Sequence, residues 1–241
     1  MEIMGPETTK ATASESLAFD LLASGNVAGA VAAITSAMQA EPALEHLAQL
    51  CKRAYRELKS VPAMTAVAWE AIRFGLKCAE ASPDSETAVR LETRVRGIAY
   101  NTSANCWPGW GDAVEISPTD IAQGLKFAER NYELVVNLGL GGKEIGGAHW
   151  LVGALLLASG QSSAAAPQFL QAEKAFEAAQ LPAYTAMAHG YTALAYKILP
   201  ESRDKGAKSL AATLQTLRAM ESKDAHFFAD QLVTAERIFS V

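Results

Sequence analysis

Apolar side chains recur along this chain at three- and four-residue intervals, in runs separated by glycine, proline and capping residues. The clearest run spans Leu17 to Pro42. Leu17, Ala18 and Leu21 share one face of a helix expected near Ser14–Ala23. Gly25-Asn26 breaks the chain, and Ala30, Ile34 and Ala37 repeat on a second helix from Val27 to Ala40 that stops before Pro42. Small residues (Ala18, Ala30, Ala37) let two antiparallel helices approach closely, while Leu17, Leu21 and Ile34 fill the gap between them. One such hairpin cannot bury both of its faces, so neighbouring hairpins must cover it.

The pattern continues. Pro42 and Glu45 open a third helix whose apolar face carries Leu44, Leu47, Leu50, Cys51 and Ala54 and whose other face is basic, with Lys52, Arg53, Arg56 and Lys59. Ser60 and Pro62 stop it and start a fourth, Pro62 to Ala81. A fifth, about Ser85 to Ala104, turns Leu91, Val95, Ile98 and Ala99 inward and Arg90, Arg94 and Asn101 outward. Residues 105–117, which include Trp107, Pro108, Gly109, Trp110 and Gly111, show no helical period and form the longest connection. Ser117-Pro118-Thr119-Asp120 restarts helix with a cap and a first-turn proline, and the sixth helix runs to Asn137 before Gly139, Gly141 and Gly142. In the seventh and eighth, Val152-Gly153, Leu156, Gly160, Ala165, Phe169 and Ala172 fall in register with Leu17-Ala18, Leu21, Gly25, Ala30, Ile34 and Ala37. A ninth runs from Pro182 to Leu199 and a tenth from Asp204 to Met220. The eleventh, Asp224 to Phe239, is amphipathic and suits a C-terminal capping helix with one wet face. The expectation is an all-α chain of about eleven helices paired as antiparallel hairpins, with a flexible N-terminal tail over 1–12 and one domain over 13–241.

Composition supports helix over sheet: 50% of the 241 residues are apolar, alanine dominates and aromatics reach only 7%. The net charge of −5 is spread along the chain, so no basic face argues for nucleic acid. Cys51, Cys78 and Cys106 form no Cys-x-x-Cys pair, which disfavours a zinc site or disulfide framework and makes reduced, cytoplasmic thiols the expectation. The N-terminal residues have no basic stretch followed by an apolar run, so they do not read as a secretory signal. The most apolar segment, Trp150 to Ala158, falls well short of the ~20 residues that span a bilayer, so no membrane partner is expected.

The aligned residues of Leu17–Pro42 and Val152–Ala172, and more weakly Ala66–Pro83, resemble the tetratricopeptide repeat (TPR) family, with this chain a divergent member. The resemblance implies hairpins stacked as a right-handed superhelix, a concave groove lined by the first helix of each pair, and a non-enzymatic scaffold that binds a protein or peptide. Family members that grip a C-terminal carboxylate place Lys, Asn and Arg at fixed positions of the first helices. Here the corresponding positions hold Glu15 and Phe19, so that clamp is absent. The alignment makes Phe19, Lys52, Arg56, Arg94, Asn101, Trp150, Tyr184 and Tyr191 the groove-facing set, a basic and aromatic lining suited to an acidic peptide with apolar anchors.

Each of these residues has a plainer reading. The basic run at Lys52, Arg53 and Arg56 is also what the solvated face of an amphipathic helix looks like. Trp107 and Trp110 join the partner-binding candidates as a lid or contact surface, or else fold back to plug a gap between the fifth and sixth helices. His149 and His189 fall on first helices of adjacent pairs, but a metal needs further ligands and none is placed nearby. No Gly-x-Ser-x-Gly elbow, His-Glu-x-x-His helix or Cys-His arrangement appears, so no catalytic residue and no cofactor is assigned. Two rival expectations stand beside docking: a small-molecule sensor with a pocket near the Trp loop, and a homodimer through an apolar groove or the last helix.

Overall fold

The computed structural model describes residues 6–240, with side chains from residue 13 onward. Among these the chain forms eleven α-helices and no strand: α1 (Pro6–Ala23), α2 (Val27–Thr35), α3 (Ala40–Arg56), α4 (Val61–Glu80), α5 (Ser85–Asn105), α6 (Pro118–Asn137), α7 (Gly142–Ala158), α8 (Ser162–Ala178), α9 (Pro182–Ile198), α10 (Arg203–Ala219) and α11 (Lys223–Phe239). The expected tail over 1–12 lies outside the described residues as far as residue 5, and from Pro6 the chain is already in α1. The helices pack as consecutive hairpins, and the chain divides into two compact units, Met1–Asn105 and Cys106–Val241.

In the first unit α1 packs on α2, α3 on α4 and α4 on α5, while α3 also touches both α1 and α5. Helices α1, α3 and α5 therefore form one layer, with α2 and α4 behind it. Ala18, Ala30, Ile34, Leu44 and Leu47 are fully or almost fully buried between the layers, as the small-and-large alternation requires. One expectation is corrected. Leu17 is 53% exposed, and Leu22 takes the buried place at 3%. Leu17–Leu21 and Ala18–Leu22 both have helical four-residue spacing, so the sequence pattern alone admits either face.

The second unit repeats the scheme with α6 on α7, α7 on α8, α8 on α9 and α9 on α10. Helix α11 closes it, packing on α9 and α10 through Phe228, Leu232 and Ala235 while Phe227 stays 56% exposed.

Local chemistry sets the element boundaries. Ser60 and Ser222 cap α4 and α11, accepting from Ala63 N and Ala225 N. At α6, Ser117 Oγ accepts from Asp120 N at 3.2 Å while Ser117 N donates to Asp120 Oδ2 at 2.9 Å, closing a capping box. Four helix ends share one turn. Gly25, Gly139, Gly160 and Gln180 adopt left-handed φ values of 85°, 60°, 78° and 57°. In each, the left-handed residue donates to the carbonyl three back, and the next residue to the carbonyl five before it, as Asn26 does to Leu21.

The long connection is not an open loop. Pro108–Trp110 makes a single 3-10 turn that packs on α7 and α11.

Candidate functional site

Helix α3 lies between α1 and α5, so the polar residues on its outer face look onto a trough with walls on both sides. At its C-terminal end Gln49, Lys52 and Arg56 border a depression of about 340 Å³ whose far wall is Ile98, Asn101 and Asn105 of α5. Next along α3 is a depression of about 580 Å³ lined by His46, Gln49, Arg94, Arg96, Ile98 and Asn101, among others. A third, of about 250 Å³, sits toward α1 between Glu15, Ile34, His46 and Arg53. Gln49 borders all three, so they form one continuous groove within the first unit.

Its charges are unevenly committed. Arg94 pairs with Glu45 at 2.7 Å and Glu41 at 3.6 Å, and Arg90 pairs with Glu86 and Glu41. Arg53 grips Glu57 through two hydrogen bonds of 2.8 and 3.1 Å and lies over the Phe19 ring at 3.6 Å from its centre. The bond to Glu57 raises the Arg53 guanidinium above its ordinary value and lowers the Glu57 carboxyl. His46 is bonded to Glu15. Lys52 and Arg56 are different: both are exposed, and neither has an ion-pair partner among the described residues. Two uncommitted cations facing the amides of Gln49, Asn101 and Asn105 can take carboxylates and backbone carbonyls together.

The residues expected to bind a partner thus divide. Phe19, Lys52, Arg56, Arg94 and Asn101 share the α1–α3–α5 face of the first unit, although Phe19 and Arg94 already have partners of their own. Trp107, Trp150 and Tyr191 leave the set, because all three are buried in the second unit's core, with Trp107 and Tyr191 0% exposed. Trp107 stands with its ring centre 4.9 Å from Trp110, 5.4 Å from Trp150 and 5.8 Å from Tyr191, with Phe239 of α11 at 6.1 Å. Burial pushes the Tyr191 phenol up. Trp107 is therefore a plug, not a lid: large rings gain more by filling the space between α7, α9 and α11 than by facing water. Trp110 is half-buried beside it. Tyr184 is half-buried between Phe176 and Phe228, with the Lys143 ammonium 5.2 Å from its ring centre.

Sequence reasoning missed a polar chain in the second unit. Glu173 Oε1 of α8 lies 3.1 Å from His189 Nδ1 of α9, and His189 Nε2 lies 3.1 Å from Ser209 Oγ of α10. All three border a cavity of about 750 Å³ that runs between α8, α9 and α10. Glu173 and His189 stand at nearly equal distances from the turn at Gln180, so hairpin symmetry was the available signal for that pair. Ser209 has no comparable signal. Acid, imidazole and hydroxyl in this order suit nucleophilic hydrolysis. Ser209, however, sits inside α10, where the neighbouring N–H groups are held by the helix and cannot stabilise an oxyanion. The three side chains form a continuous polar stretch of the cavity wall. His149 is held elsewhere, by Gln168 Oε1 at 2.8 Å and against Tyr132, and no cluster of metal-ligating side chains occurs among the described residues.

No protein-family model matches the chain. No curated protein matches it. Among solved structures, a chain described as "Computational Design of Self-Assembling Cyclic Protein Homooligomers" is similar at 15% identity, over 97% of this chain and 93% of that one, with a TM-score of 0.30. A likeness of that degree carries no argument about fold or assembly here.

Proposed function

We propose that the first unit is a non-enzymatic docking module, TPR-like in character, that holds an acidic segment of a partner protein in the α1–α3–α5 groove. The observation that carries this reading is the pair Lys52 and Arg56, exposed and without carboxylate partners among the described residues, beside the amides of Asn101 and Asn105. A solvated basic face could account for the charges, but not for their position beside a groove in which Arg53 and Arg94 are already paired. Leu or Phe anchors in the ligand would sit in the depressions bordered by Ile98 and Ile34. Binding in a reducing, cytoplasmic setting fits the three free cysteines. Among the described residues, no helix is long and apolar enough to cross a membrane.

Fluorescence anisotropy with short acidic peptides carrying Leu or Phe tests the reading. The double variant Lys52→Glu/Arg56→Glu is expected to weaken binding by about tenfold or more, and added salt to weaken the native complex. Neutral peptides binding as tightly as acidic ones, or affinity indifferent to the charge reversal, would refute it.

A further inference from the structure

We infer that the α8–α9–α10 cavity of the second unit is a binding site for a small organic cation, an ammonium group on an apolar body. A cavity of about 750 Å³ is within the range that takes drug-sized molecules. Much of its wall is apolar, from Leu181, Pro182, Ala186, Ala212 and Met220. What distinguishes it is the hydrogen-bonding character of its polar atoms.

Three threonines line the cavity, and each has already used its one proton. Thr185 Oγ1 donates to Leu181 O at 3.0 Å, Thr213 Oγ1 to Ser209 O at 2.9 Å and Thr216 Oγ1 to Ala212 O at 3.1 Å. Their remaining capacity is as acceptors. Glu173 and Glu177, one turn apart on α8, add two carboxylates, and neither has a lysine or arginine partner among the described residues. Glu173 Oε1 faces His189, while its Oε2 is buried without a hydrogen-bond partner. No lysine or arginine lines the cavity. A wall of acceptors and methyl groups, acidic at one side and holding few donors, complements a ligand that brings donors and positive charge. An anionic or acceptor-rich molecule would meet like charge and unmatched lone pairs.

Dansylcadaverine, an ammonium joined to an apolar fluorophore, and dansyl-6-aminohexanoate, its carboxylate counterpart, are suitable probes for the full-length protein. The expected result is a rise in dansyl fluorescence with the cation at concentrations where the anion gives at least about tenfold weaker binding, the scale of one charge-assisted hydrogen bond. Glu177→Gln should remove most of that discrimination, and Ala212→Trp, which fills the cavity from an exposed position on α10, should abolish binding while the helical circular dichroism is retained. The Lys52→Glu/Arg56→Glu variant should bind the cation unchanged, which separates this site from the peptide groove. Equal binding of both probes, or cation binding that survives Ala212→Trp, would overturn the inference. So would absence of binding together with a sedimenting dimer that Ala212→Trp dissociates, since the cavity would then be occupied by a second copy.

Discussion

Gln180 carries a left-handed backbone at a turn whose counterparts are Gly25, Gly139 and Gly160. A side chain in that conformation costs roughly 1 kcal/mol, so Gln180→Gly is expected to stabilise the second unit by about 0.5–1 kcal/mol, read as a higher urea midpoint at constant m value. The two buried thiols, Cys51 and Cys106, respond to burial in the same direction. Burial pushes Cys51 and Cys106 up to about 12, against an ordinary value near ~8.5. Both are therefore expected to resist iodoacetamide at pH 8 until the protein unfolds, whereas the partly exposed Cys78 is alkylated first, by peptide mass mapping. The sign for stability follows from the raised values. The unfolded thiols ionise first as pH rises, so the stabilising contribution is full below about 8.5 and is lost as pH climbs toward 12. An alkaline fall in melting temperature, reduced in Cys106→Ala, is the measurement.

Among the elements, the start of α6 and the crossing of α9 and α10 are the points where one residue decides the most. Ser117→Ala removes half of the capping box and should cost about 1 kcal/mol of stability by chemical denaturation. At Gly206 an added Cβ would stand 2.7 Å from Ala193 O, a backbone atom that cannot swing aside. Gly206→Ala should therefore force α10 away from α9 and cost about 3 kcal/mol, with the loss seen in thermal melting. Helix identity and most boundaries were legible because their signals are local: Pro62 with Ser60, Pro118 with Ser117, and Pro182 each mark a start within a residue or two of the observed helix. The buried face of α1 was not, since two four-residue ladders competed among alanines. The fate of Trp107 was not legible either, because its cover comes from Phe239, at the far end of the chain. The same holds for the site: Lys52 and Arg56 could be read as exposed cations, but that Arg94 is neutralised depends on Glu41 and Glu45 of another helix.

At the scale of the molecule, each unit has its own buried set, aliphatic and alanine-rich up to Asn105 and alanine-rich with large aromatic rings added after it. Expressed separately, residues 106–241 are expected to keep a cooperative melt and the near-ultraviolet circular dichroism of Trp107, Trp110 and Trp150, because the contacts that orient those rings are internal to the unit. A structureless near-ultraviolet spectrum from that fragment would contradict the division. The modest net charge of −5 conceals an internal contrast: Lys52 and Arg56 border the groove of the first unit, and the carboxylates of Glu173 and Glu177 the cavity of the second. The shared corner of Gly25, Gly139, Gly160 and Gln180 has a consequence of its own. Reversal of direction is encoded in main-chain geometry and not in any particular side chain, so rods of unrelated surface chemistry can be joined by one hinge, and each stretch of chain can change its outward face without altering where the next begins.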